Sequence, residues 1–441
     1  MPNVLNWYCN NRFIRKAASA PINYNNTLVF FYMLVYPIKH RRITMNKFST
    51  GIVCFALLGT FTFALGGKDN TGSVAASAIA AAQNMTHEEI EAKAKEEAAA
   101  AKSSGTVFKA YGTSSRIADA AKSFTARYGI DVETTNVKDS EIYTKLEAEI
   151  GGNVDGADVV LTQNGAVLKI QMLNTGYLLN YIPALAEAKF DQEDKSPLVQ
   201  QYLNKLIIFN TAGGKTPDIT NVWQLCEPEM KGKVFFKSPE TEKVNENFLI
   251  MLTSPAWAEK LAKAYKDLYG KDIELGQFKN AGYKWVAEFL TTCSFGDSDT
   301  KVAEQISSDE AAGKTGLFVF SKLRSKTVKT ANLKPAAFYA DEKNTKMQPF
   351  AGFMYPLYVL MAKTTTMPYT SMLFIEHLVS DEGFAPWKKS LGAYSPNHDI
   401  GVNKGDKPLA YWKDCLVMED PEYINKAYAD VFEFISKYIS K

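Results

Sequence analysis

The stretch SSDEAAGKTGLFVF, residues 307–320, contains Gly313-Lys314-Thr315. That triplet matches the end of a phosphate-binding loop, in which glycines let backbone N–H groups surround phosphate oxygens while Lys and Thr reach phosphate and magnesium. Two features oppose nucleotide chemistry. The position five residues before Gly313 is Ser308 where the motif requires Gly, and such a loop must leave a strand and open a helix. Here residues 301–311 carry Val302, Gln305 and Ile306 at helical spacing, and Leu317-Phe318-Val319-Phe320 is an apolar run of β-forming residues. Gly313 is therefore expected to end a helix, with GKTG turning the chain into a strand. Other catalytic sets are not evident. His40, His87, His377 and His398 are scattered, with neither a His-Glu-x-x-His pattern nor a Gly-x-Ser-x-Gly elbow. Asp297 and Asp299 come nearest to paired carboxylates and keep a cleft hydrolase as a reading of another class.

Residues suited to binding, rather than to bond breaking, gather where strands end. Tyr111-Gly112 closes a strand and Thr113, Ser114, Ser115 and Arg116 open a helix; free N–H groups, the helix dipole and the hydroxyls there favour a negative group. Gln163 and Asn164 end another strand with amides that could read a polar ligand. Asn245 and Asn247 follow SPETEKV, and Ser298 and Asp299 precede the helix KVAEQI, where acids suit an amine or sugar hydroxyls. Tyr355 lies in the aromatic stretch Phe350 to Tyr355. Each of these also has an ordinary structural reading: Ser, Thr, Asn and Asp cap helices, and aromatic runs fill cores.

The elements that must position these residues are legible in outline. Strand, helix, strand, helix, strand and helix succeed one another from Thr106 to Asn174. The theme returns with Leu206 to Phe209, the short helix Val222 to Leu225, GKVFFKSP, and helices at Asn245 to Thr253, Pro255 to Tyr269 and Gly282 to Cys293. Such alternation implies parallel βαβ units with ligands at the carboxyl ends of the strands. Phe353 to Ala362 reads as an apolar strand that Pro356 should confine to an edge or a bend.

At 441 residues, 46% hydrophobic and 22% charged, the chain has core material for two to three domains. All seven basic groups of residues 1–47 lack an acidic counterpart, leaving 43 basic against 48 acidic groups in the remainder. A weakly acidic body argues against nucleic acid as a partner. Residues 48–67 carry no charge, follow Met45-Asn46-Lys47 and end in Ala64-Leu65-Gly66. They read as a signal peptide over 45–67, with an uncleaved membrane anchor as the rival. Residues 1–44 are then a misassigned or unusual leader, and 68–84 a flexible tether. Thr86 to Glu89 form a capping box at the start of an Ala-rich helix. Cys226, Cys293 and Cys415 are far apart, so neither a disulfide framework nor a zinc site is expected.

Several phrases in order carry a family likeness: FTARYGIDV, YTKLEAEIGGNVDGADVVLTQNG, NTGYLLNYIP, IIFNT, NVWQLCEPEMKGKVFFKSP and MLFIEHLVSDEGFAPW. Together they resemble extracellular solute-binding proteins of bacterial ABC importers, and most of all the branch that binds ferric iron, thiamine, phosphonates and sugar phosphates. The resemblance covers roughly Glu89 to Asn397. It implies an α/β fold of the type II periplasmic-binding-protein kind, with two doubly wound lobes joined by hinge strands: 85–205 with 340–441, and 206–339. It also implies a monomer outside the cytoplasm that holds a small-molecule ligand between its lobes, needs no cofactor, catalyses nothing, and hands its cargo to an ABC permease in the inner membrane. Iron-binding members supply adjacent tyrosines just after the strand at Leu317 to Phe320; this chain has none there, which weakens iron, although Tyr355 and Tyr358 could stand in from another strand. Ser321, Lys322 and Arg324 offer hydroxyl and cationic donors instead. The expected cargo is a small anionic solute, possibly phosphorylated, with ferric iron as the alternative and a surface receptor of the same fold as a further reading.

Overall fold

The computed structural model describes residues 73–214, 218–336 and 347–439. The expected leader and signal peptide lie outside the described residues. Among the described residues, twelve strands make one sheet: β1 (Phe108–Gly112), β2 (Val132–Asn136), β3 (Val159–Thr162), β4 (Leu178–Leu179), β5 (Val199–Asn210), β6 (Val234–Lys237), β7 (Ser294–Gly296), β8 (Thr315–Val319), β9 (Leu333–Pro335), β10 (Gly352–Ala362), β11 (Ala393–Tyr394) and β12 (Val417–Met418). The main path runs β2-β1-β3-β10-β5-β8-β6-β7. β1 is parallel to β2 and β3 at one end, and β6 is parallel to β7 and β8 at the other. Each parallel group follows from strands punctuated by helices; the inner strand β3 (VVLT) is buried on both faces and reads as an apolar run, whereas the outer strand β2 (VETTN) is half-exposed and polar.

Two long antiparallel strands join the halves. β10 pairs with β5 along Gly352–Tyr358 and then with β3 along Tyr358–Met361. β5 pairs with β10 along most of its length and with β8 from Lys205 to Phe209. Each strand thus starts in the shared ladder and ends inside one lobe, giving the two α/β lobes joined by hinge strands that the sequence led us to expect. Pro356 departs from expectation. It sits within buried β10 rather than at an edge, opposite Tyr202 and beside a register shift at Leu357/Tyr358. A proline is tolerated there because the ladder is already interrupted, so its missing N–H removes little. The GKTG turn has the expected order: Asp309–Ala311 is a 3-10 turn, Gly313 has φ +81°, and β8 follows.

Two assignments need correction. Part of the stretch read as a tether, Val74–Ala82, is a helix capped by Ser73, with Ala75, Ala78 and Ala82 buried. Small side chains let it lie close against the helix Pro368–Val379, which also carries the helix His87–Ser104. There Glu97 accepts hydrogen bonds from the Tyr369 and Thr370 N–H groups, at 3.1 and 2.8 Å, capping the first turn of a neighbouring helix. The Thr86–Glu89 capping box forms as read. The second correction concerns the C-terminus. The helix Pro421–Ile439 packs on the helices Lys243–Leu252 and Ala281–Thr292 of the second lobe, although residues 340–441 were expected in the first. Its buried Ile424, Val431 and Ile435 form an apolar stripe that needs an apolar partner, and Phe434 meets Tyr283 edge-on at 4.9 Å. Its first turn reaches the first lobe, where Glu422 pairs with Lys169 at 2.6 Å and Asn425 donates to the Ala166 carbonyl at 3.1 Å.

The hinge ladder is tightest at Gly352. Its φ is +146°, and an added Cβ would fall 2.1 Å from the Lys205 carbonyl oxygen. Gly352→Ala is expected to cost on the order of 2–4 kcal/mol through strain and a backbone clash. Chemical denaturation of the variant beside wild type checks this; an unchanged midpoint would show that the ladder yields freely.

Candidate ligand-binding site

The seam where the lobes meet holds buried polar and charged groups from both. From the hinge, Lys205 on β5 is completely buried (0% exposed). Its Nζ donates to Glu242 Oε2 at 2.8 Å, Asn245 Oδ1 at 2.9 Å and Asp299 Oδ2 at 3.2 Å. Glu242 also pairs with Lys237 at the end of β6, and Asp299 accepts the Val319 N–H at 3.1 Å. Burial alone would raise the Glu242 carboxyl, but Lys205 and Lys237 outweigh it and hold the group down at about 2. Burial likewise disfavours the Lys205 ammonium, yet Asp299 and Glu242 keep its pKa above the usual lysine value. Both cations of this centre are thus engaged by carboxylates.

Across the seam the balance is acidic. Asp139, which opens the helix Asp139–Gly151 after β2, has both carboxylate oxygens buried and in no well-formed hydrogen bond, with the Gln163 side chain and the Lys243 N–H near enough to favour its charge. Burial pushes it up to about 6, with Gln163 and the Lys243 N–H opposing only in part. Glu419, just after β12, is pushed up by burial to about 8, with Asp139 adding repulsion. Its Oε1 accepts from Asn247 Nδ2 at 3.1 Å, while its Oε2 is buried and unpartnered. Asn247 Nδ2 also donates to Asn164 Oδ1 at 3.2 Å, a bond between the lobes. Asn164 takes a left-handed conformation, φ +64°, and the same oxygen lies 3.5 Å from the Val167 N–H. Tyr355 is buried among these groups, its phenol raised well above the usual tyrosine range first by burial and then by Glu242, Asp299, Asp139 and Glu419.

Of the residues singled out in the sequence, Gln163, Asn164, Asn245, Asn247, Asp299 and Tyr355 therefore meet in one centre. Thr113 ends β1 on the same edge, its N–H donating to the Leu161 carbonyl and its buried Oγ1 without a partner. Ser114 accepts the Arg116 N–H, and Ser115 is exposed. Arg116 donates to Ser390 Oγ at 2.5 Å and has no carboxylate partner among the described residues; burial lowers its pKa. Ser298 caps its helix through Lys301 N. Lys322 is half-buried near Glu304, Ser321 is half-buried beside it, and Arg324 is exposed and donates to the Lys389 and Lys404 carbonyls. Asp297 is exposed while Asp299 is held by Lys205, so the two do not form a carboxylate pair of matched environment. Sequence reasoning missed Asp139, Lys205, Lys237, Glu242 and Glu419. Lys205 carried a usable signal, a lone lysine inside the run YLNKLIIF; Glu419 carried none.

No protein-family model and no curated protein sequence matches the chain. Solved structures do. The ferric binding protein from Campylobacter jejuni is 16% identical with a TM-score of 0.56, covering 75% of this chain and 99% of its own. Iron-bound HitA from Pseudomonas aeruginosa is 16% identical with a TM-score of 0.54 and the same coverages. The periplasmic binding protein AfuA from Actinobacillus pleuropneumoniae, with fructose-6-phosphate bound, is 15% identical with a TM-score of 0.55, covering 76% and 98%.

The raised carboxyls give a pH signature. Asp139 binds its proton more tightly folded, at about 6, than at its ordinary 3.8. Its ionisation therefore weakens the fold as pH rises through that interval, and the full penalty, on the order of 2–3 kcal/mol, applies above it. Asp139→Asn should be more stable than wild type near neutral pH and gain nothing at about pH 4, read from urea midpoints across the interval. Lys205→Met should lose on the order of 3–5 kcal/mol by leaving Glu242 and Asp299 buried without their cation; a midpoint within error of wild type would mean the pair is dispensable. The chain shares the two-lobed fold of these periplasmic binding proteins.

Proposed function

We propose that this chain is the extracytoplasmic solute-binding component of an ABC importer, taking a small solute into the seam between its lobes and delivering it to a permease in the inner membrane. The carrying observation is the seam itself. Polar side chains of both lobes converge there, and a buried Asn164–Asn247 hydrogen bond closes it. Buried polar atoms without well-formed hydrogen bonds, on Thr113, Asp139 and Glu419, line the same junction. A folded chain that needed only stability would gain by replacing such groups with apolar ones, so their retention fits a surface that a solute completes. Solute exchange requires the seam to part, which the two hinge strands allow by twisting at the β5–β10 ladder. The expected cargo remains a small anion. Arg116, partly buried at a helix start and unpaired with any described carboxylate, supplies the cation, and Thr113 and Ser114 supply hydroxyls. AfuA, a structural neighbour, holds fructose-6-phosphate. Ferric iron is the second reading: Tyr355 lies near Asp139 and Glu419, an oxygen-rich environment suited to a hard cation.

The test is a thermal-shift and calorimetric panel of sugar phosphates, phosphonates and ferric citrate. A cargo should raise the melting temperature by mass action, and Arg116→Ala should weaken an anionic one by about tenfold or more. Stabilisation by ferric citrate alone, with a visible charge-transfer colour, selects iron. Turnover of any compound in the panel, or silence across it with the seam closed in solution scattering, overturns the transport reading.

A further inference from the structure

A cavity of about 720 Å³ lies beside the hinge, lined by first-lobe and hinge residues and by Pro421 and Glu422 at the start of the C-terminal helix. Tyr202, Tyr358, Val199, Pro197, Leu173 and Met418 supply apolar and aromatic walls. Its size falls within the range of about 300–1,000 Å³ that holds small organic ligands, and such sites join apolar walls to a few placed polar groups. The charges around it are almost all spent. Lys169 pairs with Glu422 at 2.6 Å, and Lys413 with Glu193 at 2.8 Å. Glu419, which also lines the cavity, has no salt-bridge partner among the described residues, and its buried Oε2 accepts no hydrogen bond. A buried carboxyl oxygen left without a donor costs stability unless something supplies one.

We infer that this cavity is a second ligand site, which opens beside the interlobe seam and shares Glu419 with it, and which takes an organic ammonium ion: a protonated amine at Glu419, with its hydrocarbon body against Tyr202, Tyr358 and Leu173. Charge sets the class. Asp139, across the seam, adds negative potential at Glu419, so this end of the junction disfavours carboxylates and phosphates, which the proposed interlobe cargo meets at Arg116, Thr113 and Ser114 instead. An ammonium brings donors and the opposite charge together, and tyrosine faces favour cations. The site also touches the closing bond of the lobes, because the other oxygen of Glu419 accepts from Asn247, which donates to Asn164. An amine at Glu419 would fix the residue that Asn247 leans on, and so bias closure without entering the seam.

The experiment uses the full folded chain and two probes of matched shape, cyclohexylamine and cyclohexanol, by isothermal titration calorimetry. The amine should bind at millimolar concentration or below and the alcohol should bind at least about tenfold more weakly. Near neutral pH, amine binding should release about one proton, read from its dependence on buffer ionisation enthalpy, because Glu419 is protonated when free and ionised when paired. Glu419→Gln keeps the shape and should weaken the amine by about tenfold or more while abolishing proton release. Leu173→Trp should fill the cavity and block both probes, with folding checked by circular dichroism. Equal binding of amine and alcohol, no binding of the amine, or unchanged amine binding in either folded variant overturns the site. None of these outcomes depends on the interlobe cargo, so the transport reading stands or falls on its own panel.

Discussion

The structure depends on one buried ammonium. Lys205 is one of two residues of β5, with Leu206, that are paired at once with β10 and with β8, where the sheet of one lobe passes into the sheet of the other. An apolar side chain there would satisfy the ladder equally well. A lysine obliges the second lobe to bring Glu242 and Asp299 to it, because an unpaired charge in that place would be prohibitively costly. The helix that Glu242 introduces and the helix that Asp299 opens are thereby fixed to the hinge, and the Asn245 amide completes the cage. The second lobe's contribution to the seam is organised from the hinge outward.

The first lobe's contribution is of another kind. Asp139, Gln163 and Asn164 stand at the carboxyl ends of parallel strands, where this architecture gathers its loops. They form no comparable ion-pair network. Asp139 has no salt bridge among the described residues and no well-formed hydrogen bond, and Asn164 adopts a backbone conformation that ordinary side chains avoid. Strain and unmet hydrogen bonds are thus concentrated on one side of the seam and charge compensation on the other. A rigid, paired surface facing an under-satisfied one is an asymmetry suited to capturing something between them.

Much of this was legible in the residues, and the remainder was hidden for identifiable reasons. β1, β2 and β3 and their helices announced themselves through period and punctuation, as did the Gly313 turn and the Thr86 capping box, because each rests on chemistry within a few positions of sequence. Pro356 misled because its local rule assumes an intact ladder, whereas a register shift two residues on had already broken it. The alanines of Val74–Ala82 looked like linker material because low side-chain volume is also what close helix packing demands. Asp139, Glu242 and Glu419 escaped notice because their meaning lies in who faces them in space, and partners 37 residues away for Glu242 and 172 for Glu419 follow no fixed spacing that could be read. Lys205 was the exception that should have been seen, a charge set among Leu, Ile and Phe. Fold was therefore readable from neighbours in sequence, and so were the site's polar residues at strand and helix ends, whereas its buried charges were readable only from neighbours in space.

The helix Pro421–Ile439 carries a consequence for how the protein is made. The apolar surface it covers belongs to helices formed from residues 243–292, yet the covering residues come more than a hundred positions later in the chain. Until they emerge, that half has an open hydrophobic flank and cannot reach its final packing. Folding of the second half thus waits on a distant segment of sequence, and a chain cut short before that segment leaves this apolar face uncovered.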